Sequence, residues 1–136
     1  SNRGLKMNVL KIGSAPDVLA SDTHGWVVGH FIKDALTQTD LFEIKIWHYD
    51  QQPDYGQKIF RGTEFIVVEK GIIELELEIP SENGTFSKQT MRLYGVCREY
   101  VVIPPNSKKR ITVVEAPAYG ITVRWPSAPG TNQVVR

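Results

Sequence analysis

A single cysteine, Cys97, stands in 136 residues, so no disulfide can form within the chain and the stapled frameworks of small secreted domains are excluded. Cys97 lies between Gly95 and Arg98 with no histidine beside it in sequence, which reads as a structural thiol rather than a nucleophile. Long hydrophobic runs are missing as well. None approaches the roughly 18 residues of a membrane-spanning helix, so no membrane partner is expected. Nor is there an excess of one charge: 16 Lys and Arg against 15 Asp and Glu leave +1. The one basic cluster, Lys108-Lys109-Arg110, is too short for a binding arm, and nucleic acid is not an expected partner. The first residues lack the charged-then-apolar pattern of a secretory signal. With the lone thiol, this makes a reducing cytoplasm the expected compartment. Internal repeats, long helical patterns and low-complexity segments are also lacking.

What is present is ordinary globular material, 41% hydrophobic and 23% charged, enough for one domain with a real core. Pro16–Ala20 reads as one helical turn and Ser21–Gly25 as a turn. Strands are expected at Trp26–Ile32 and Leu41–Tyr49, then at Glu64–Val68 and Ile72–Ile79. Further short strands follow at Tyr100–Ile103, Ile111–Val114 and Ile121–Trp125. Residues 33–40 and 51–58 are loops by composition. About eight short strands at regular spacing argue for an all-β antiparallel sandwich or barrel. The expected layout is an N-terminal arm over 1–25, a barrel over 26–127 and a loosely held tail over 128–136.

Two stretches carry register information. In Leu41–Tyr49, Phe42, Ile44, Ile46 and His48 share one parity, and Glu43, Lys45, Trp47 and Tyr49 the other. The mostly apolar set is expected to face the core, bringing His48 inward. In Ile72–Ile79, Ile73, Leu75, Leu77 and Ile79 alternate with Glu74, Glu76 and Glu78. Asn83-Gly84 then signals a hairpin, with Glu82 to Gly84 as a three-residue loop. That register sets Glu78 opposite Lys88, Glu74 opposite Arg92, Leu75 opposite Met91 and Ile73 opposite Leu93. A slip of one residue would pair leucines with charges, so the register is well determined.

Glu64 opens an apolar run and Gly71 follows seven positions later at a turn. His48-Tyr49-Asp50 stands before them, and Tyr100-Val-Val-Ile-Pro-Pro-Asn-Ser-Lys-Lys109 runs from a strand into a Pro-rich turn. From His48 to Trp125 the chain resembles a small single-domain cupin, and with the flanking strand the resemblance covers about residues 26–127. It implies an all-β double-stranded β-helix, or jelly roll. The first cupin motif holds two histidines separated by one residue, a glutamate, then six residues and a glycine. Glu64 and Gly71 match its end. His48 matches its start, with Asp50 in the second histidine's place and a longer gap than usual. In the second motif Asn106 stands where glycine is usual, and Lys109 where the metal histidine is expected.

The resemblance implies an internal pocket with His48, Glu64 and Lys109 as candidate catalytic residues. It leaves the cofactor open between none and a divalent ion such as iron, manganese, nickel or zinc. Such an ion would draw on His48, Asp50 and Glu64, since protonated Lys109 has no lone pair to offer. Alternatively Lys109 replaces the ion by pairing with Glu64 or Asp50. The expected partner is a small-molecule ligand, with proton-transfer chemistry of the isomerase or epimerase kind. A metal-dependent dioxygenase-like enzyme and a non-catalytic sensing domain remain as alternatives. His30 could line the barrel or be a satisfied core histidine, and His24 reads as a turn residue. The resemblance also implies a homodimer, through paired sheets or an exchanged N-terminal strand at residues 5–12.

Overall fold

The computed structural model describes residues 10–53 and 56–134. A short helix, α1 (Ala15–Ala20), begins at Ser14, whose Oγ accepts the Asp17 N–H at 3.3 Å, with Pro16 in the first turn. The strands are β1 (Trp26–Val28), β2 (Glu43–Tyr49), β3 (Lys58–Phe60), β4 (Thr63–Pro80), β5 (Phe86–Tyr94), β6 (Tyr100–Ile103), β7 (Ser107–Trp125) and β8 (Asn132–Val134). Two of them organise the rest. β4 and β7 run antiparallel from Thr63↔Trp125 to Glu78↔Lys108, with register shifts between Val68 and Ile73. Each long strand therefore turns a corner and serves two sheets. One sheet has the order β6, first half of β4, second half of β7, β2, β1. The other has β5, second half of β4, first half of β7, β3, β8.

The corner explains why residues 64–79 and 111–125 each read as two strands. Gly71 sits at it with φ 81°, a left-handed conformation that glycine adopts without a Cβ penalty. The core lies between the two sheets. Ile66, Val68 and Trp47 from the first meet Ile73, Leu75, Leu77 and Ile111 from the second, all buried. The β4–β5 hairpin has the expected register, including Leu75↔Met91 and Glu78↔Lys88. Its loop closes with the Ser81 N–H on the Thr85 carbonyl at 2.8 Å, and Gly84 takes φ 83°.

Three expectations are corrected. The first strand stops at Val28, because the Gly29 carbonyl turns to accept the N–H groups of Ile32 and Thr39. The segment expected as a loose tail contains β8, which pairs with β3. The third is the parity of β2. Glu43 and Trp47 are buried, Lys45 and Tyr49 share their face, and His48 is exposed. The reason is that the outer face of this sheet is itself apolar. Ile44 and Ile46 of β2 lie beside Ile121, Val123 and Trp125 of β7, Phe65 and Val67 of β4, and Tyr100 and Val102 of β6. The proposed exchange strand at residues 5–12 falls mostly outside the described residues.

Candidate functional site

The polar end of the barrel interior is assembled row by row across paired strands. In β4, Glu64 shares parity with Ile66 and Val68, so its carboxylate points inward and is 2% exposed. β7 places Arg124 directly opposite Glu64, and β2 places Glu43 on the other side of Arg124. One row therefore reads Glu43, Arg124, Glu64. The next inward-facing row sets Lys45 against Thr122, and Thr122 against Ile66. The third sets Trp47 against Gly120, where the indole fits because glycine leaves room: a Cβ there would stand 2.7 Å from the Trp47 ring. In the second sheet, β3 places Lys58 in register with Lys109 of β7.

Contacts follow from this placement. Lys109 Nζ donates to Glu64 Oε1 at 2.5 Å, and Arg124 Nε donates to Glu64 Oε2. Arg124 Nη1 lies 3.7 Å from Glu43 Oε1. The guanidinium also sits 5.0 Å from the ring centroids of both Trp26 and Phe60, stacking that a planar, weakly hydrated cation favours. Behind it, Ser127 Oγ donates to Glu43 Oε2 at 2.8 Å and accepts the His30 backbone N–H at 2.9 Å. His30 Nδ1 lies 2.7 Å from the same hydroxyl. His30 is thus held in the support network rather than aimed into the cavity.

Lys45, Lys58, Lys109 and Arg124 line one interior cavity with Trp47, Tyr49, Thr122 and three isoleucines. It measures about 30 Å³, room for about two waters. Burial alone would raise the Glu64 pKa, but the charges of Lys109 and Arg124 outweigh it and hold the value lowered, at about 2. Lys45 is lowered to about 8, first by burial and then by Arg124, Lys58 and Lys109, with Glu64 pulling the other way. Burial likewise lowers Lys58, aided by Arg124 and Lys109, and lowers Lys109 against the opposing pull of Glu64. The Lys45 ammonium has one close partner, the Trp26 ring at 5.6 Å, and no hydrogen-bond acceptor among the described residues. The indole N–H of Trp47 is buried without a partner among them.

Of the residues singled out from sequence, Glu64 and Lys109 meet beside this cavity, Lys109 lining it and Glu64 held behind by Lys109 and Arg124. His48 and Asp50 do not. His48 lies on the outer face, with Nε2 2.9 Å from Asp50 Oδ1 and its ring stacked on Tyr119 at 5.3 Å. The strand that runs into Glu64 beside Lys109 is β3, which carries Lys58 and Phe60. Lys45, Lys58, Glu43 and Arg124 were not readable as site residues. Lys58 fell in a segment with loop composition, and the other three stand on the less apolar face of their strands.

This donor set does not fit a resident metal. Among the described residues no three His, Cys, Asp or Glu side chains converge. Both Glu64 oxygens are occupied by cations, and an ammonium or guanidinium offers a metal ion repulsion instead of a lone pair.

Two sheets carried by a shared pair of bent strands around an inward carboxylate define the cupin fold, and this chain has it. No protein-family model matches the sequence, and no curated protein does. Solved structures do match. A conserved Streptococcus pyogenes protein of unknown function is 19% identical, with 68% of this chain and 72% of that one covered at a TM-score of 0.52. DMSP lyases give 14% identity and a TM-score of 0.59 over 93% of this chain and 61% of theirs. The dTDP-4-dehydrorhamnose 3,5-epimerase of Bacillus anthracis gives 11%, 0.57, 71% and 61% respectively. The chain thus spans about three fifths of the lyase and epimerase chains, and at these identities the likeness is one of fold. No described helix is long and apolar enough to cross a membrane.

Proposed function

We propose that the barrel binds a small anionic molecule and exchanges a proton with it, Lys45 being the acid–base group. The observation that carries this reading is that Lys45, Lys58, Lys109 and Arg124 line one cavity whose wall, among the described residues, contains no carboxylate. Four cations around one small space repel one another, and an anion lying among them lowers that cost. Thr122 and the Trp47 indole line the same space and complement an oxygen-rich ligand. An amine titrating near pH 8 suits proton transfer close to neutrality.

Titration with formate, a carboxylate small enough for this cavity, followed by NMR of ¹³C-labelled lysines, tests the reading. Lys45 is expected to titrate near 8 and to shift on anion addition, whereas chloride leaves it unmoved. Binding should weaken as pH rises through about 8, because the cation is then lost. Lys45→Met should remove that pH dependence. The sign for stability is opposite to a normal ion pair. With a folded pKa below the usual lysine value of 10.5, the unfolded chain binds more protons between the two values, so Lys45 favours folding increasingly as pH rises. Anion binding with no involvement of Lys45 would point to a passive binding or sensing domain.

We also propose that the chain pairs with a second copy through the outer face of the β6–β4–β7–β2 sheet. Tyr100, Val102, Ile121 and Trp125 are exposed there, and Phe65 and Val67 lie between them. An isologous contact sets a patch against itself, so these apolar side chains would meet their own copies. Light scattering should give twice the chain mass of 15.3 kDa, and Ile121→Lys should return the monomer. A monomeric wild-type protein sinks the proposal.

A further inference from the structure

We infer that Lys45 is a carbon dioxide site: its amine adds CO₂ reversibly and the resulting carbamate is held among the cations of the cavity. The inference goes beyond the anion-binding reading above and shares with it only the cationic wall.

Three observations carry it. The first is the state of the amine. Lys45 lines the cavity, and among the described residues no carboxylate or carbonyl holds its ammonium. This sets it apart from Lys109, tied to Glu64 at 2.5 Å, and Lys11, tied to Asp34 at 3.0 Å. Arg124, Lys58 and Lys109 all act on it electrostatically, and an amine among cations keeps its lone pair available. The second is size. The carbon of CO₂ comes within bonding distance of Nζ, so only its two oxygens need new room, and a cavity of about 30 Å³ has room for about two waters. CO₂ is also uncharged, so it enters without giving up an ion's hydration. The third is what surrounds the product. A carbamate is an anion with two acceptor oxygens, and among the described residues the cavity wall carries cations and donors but no carboxylate. Lys109 gives one of its three N–H donors to Glu64, leaving two. The buried Trp47 indole N–H, in the same wall, has no partner among the described residues. The lowered pKa of Lys45 agrees with this placement.

The step needs no oxidant or reductant. The lone pair of the neutral amine attacks the carbon of CO₂ and a C–N bond forms. One C=O π pair moves onto oxygen, and the nitrogen releases one proton to solvent. Lys–NH₂ and CO₂ thus become Lys–NH–COO⁻ and H⁺, and reprotonation of the nitrogen with loss of CO₂ restores the amine. The acid–base group of the proposed function is then a fixed anion, so CO₂ switches the site off for free anions.

Trapping tests it. The full chain is equilibrated with ¹³C-bicarbonate and CO₂ at about pH 8, and its carbamates are alkylated with triethyloxonium to stable ethyl esters. Peptide mass spectrometry then maps them, with Lys45→Arg in parallel. The expected result is an ethyl carbamate on Lys45 about tenfold or more above those on exposed Lys11, Lys33, Lys70 and Lys88, since far more of its amine is neutral at that pH. The α-amino group, which also titrates near 8, is the positive control. Before alkylation, ¹³C NMR should show a carbamate resonance that the Lys45→Arg chain loses. Should that variant not fold, the wild-type map decides, because fragmentation places the label on a residue. Adduct on the α-amino group with none on Lys45, or label spread evenly over surface lysines, overturns the inference. Formate separates the two readings. Where it shifts the Lys45 resonance but no carbamate forms there, the anion site stands and only the carbamate falls. Where the carbamate forms and formate moves nothing, the carbamate stands and the anion reading falls.

Discussion

Glu64→Gln is expected to lower stability by about 3–5 kcal/mol, the range seen when one partner of a buried ion pair is removed. The amide keeps the shape but leaves Lys109 without a counter-charge and Arg124 with Glu43 alone, each in contact with what had been a carboxylate oxygen. For a domain of this size the melting temperature should fall by roughly 10–15 °C. The pH profile adds a second readout. Glu64 is held at about 2, below the usual 4.5, so its contribution is complete above about 4.5 and is lost as pH falls through about 2. The linked free energy is about 3 kcal/mol. Denaturant midpoints at pH 2, 3, 4.5 and 7 should show this acid slope in the wild type and a flatter one in Glu64→Gln. Equal slopes would mean that the carboxylate is not held by the two cations. Glu64→Gln combined with Lys109→Met should cost less than the sum of the single changes, because the second removes a charge the first has orphaned.

Gly71→Ala is expected to cost about 3 kcal/mol or more, from two separable causes. The backbone at φ 81° strains any residue with a Cβ, and that Cβ would lie 2.4 Å from the Pro117 carbonyl oxygen and 2.6 Å from that of Glu115. Neither oxygen is at the end of a flexible side chain, so the corner shared by β4 and β7 has to open. Gly84 supplies the control. It has nearly the same dihedral, φ 83°, with nothing within 4 Å of an added Cβ, so Gly84→Ala should cost only the strain, about 1 kcal/mol. Urea unfolding of both variants separates the causes. Similar losses at the two sites would show that strain, and not the close approach at the corner, dominates.

Gly71 and Glu64 were legible because each breaks a local pattern: a glycine between two apolar runs, and an acid opening one. The hairpin register was legible for a related reason. Ile73, Leu75 and Leu77 pack inside while Glu74 and Glu76 do not, and in that sheet the apolar face is the inner one. β2 follows the opposite rule. Its alternation was visible and its direction misread, because Ile44 and Ile46 join an apolar outer surface while Glu43 and Lys45 turn toward a polar cavity. His48 was placed inside on that account, and it pairs with Asp50 outside.

By itself the sequence determined the all-β class, the positions of β2, β6 and both halves of β4 to within a few residues, the β4–β5 register and Lys109 as a partner open to Glu64. Those are local matters, set by period-two alternation, turn chemistry and the cost of burying a carboxylate alone. Only the tertiary structure decided that β4 and β7 each serve two sheets, that Lys58 rather than His48 precedes Glu64 in space, and that Arg124 and Lys45 face inward. A period of two says that the faces of a strand differ. Which face is covered, and by what, depends on strands 60 to 80 residues away, and no local pattern carries that information.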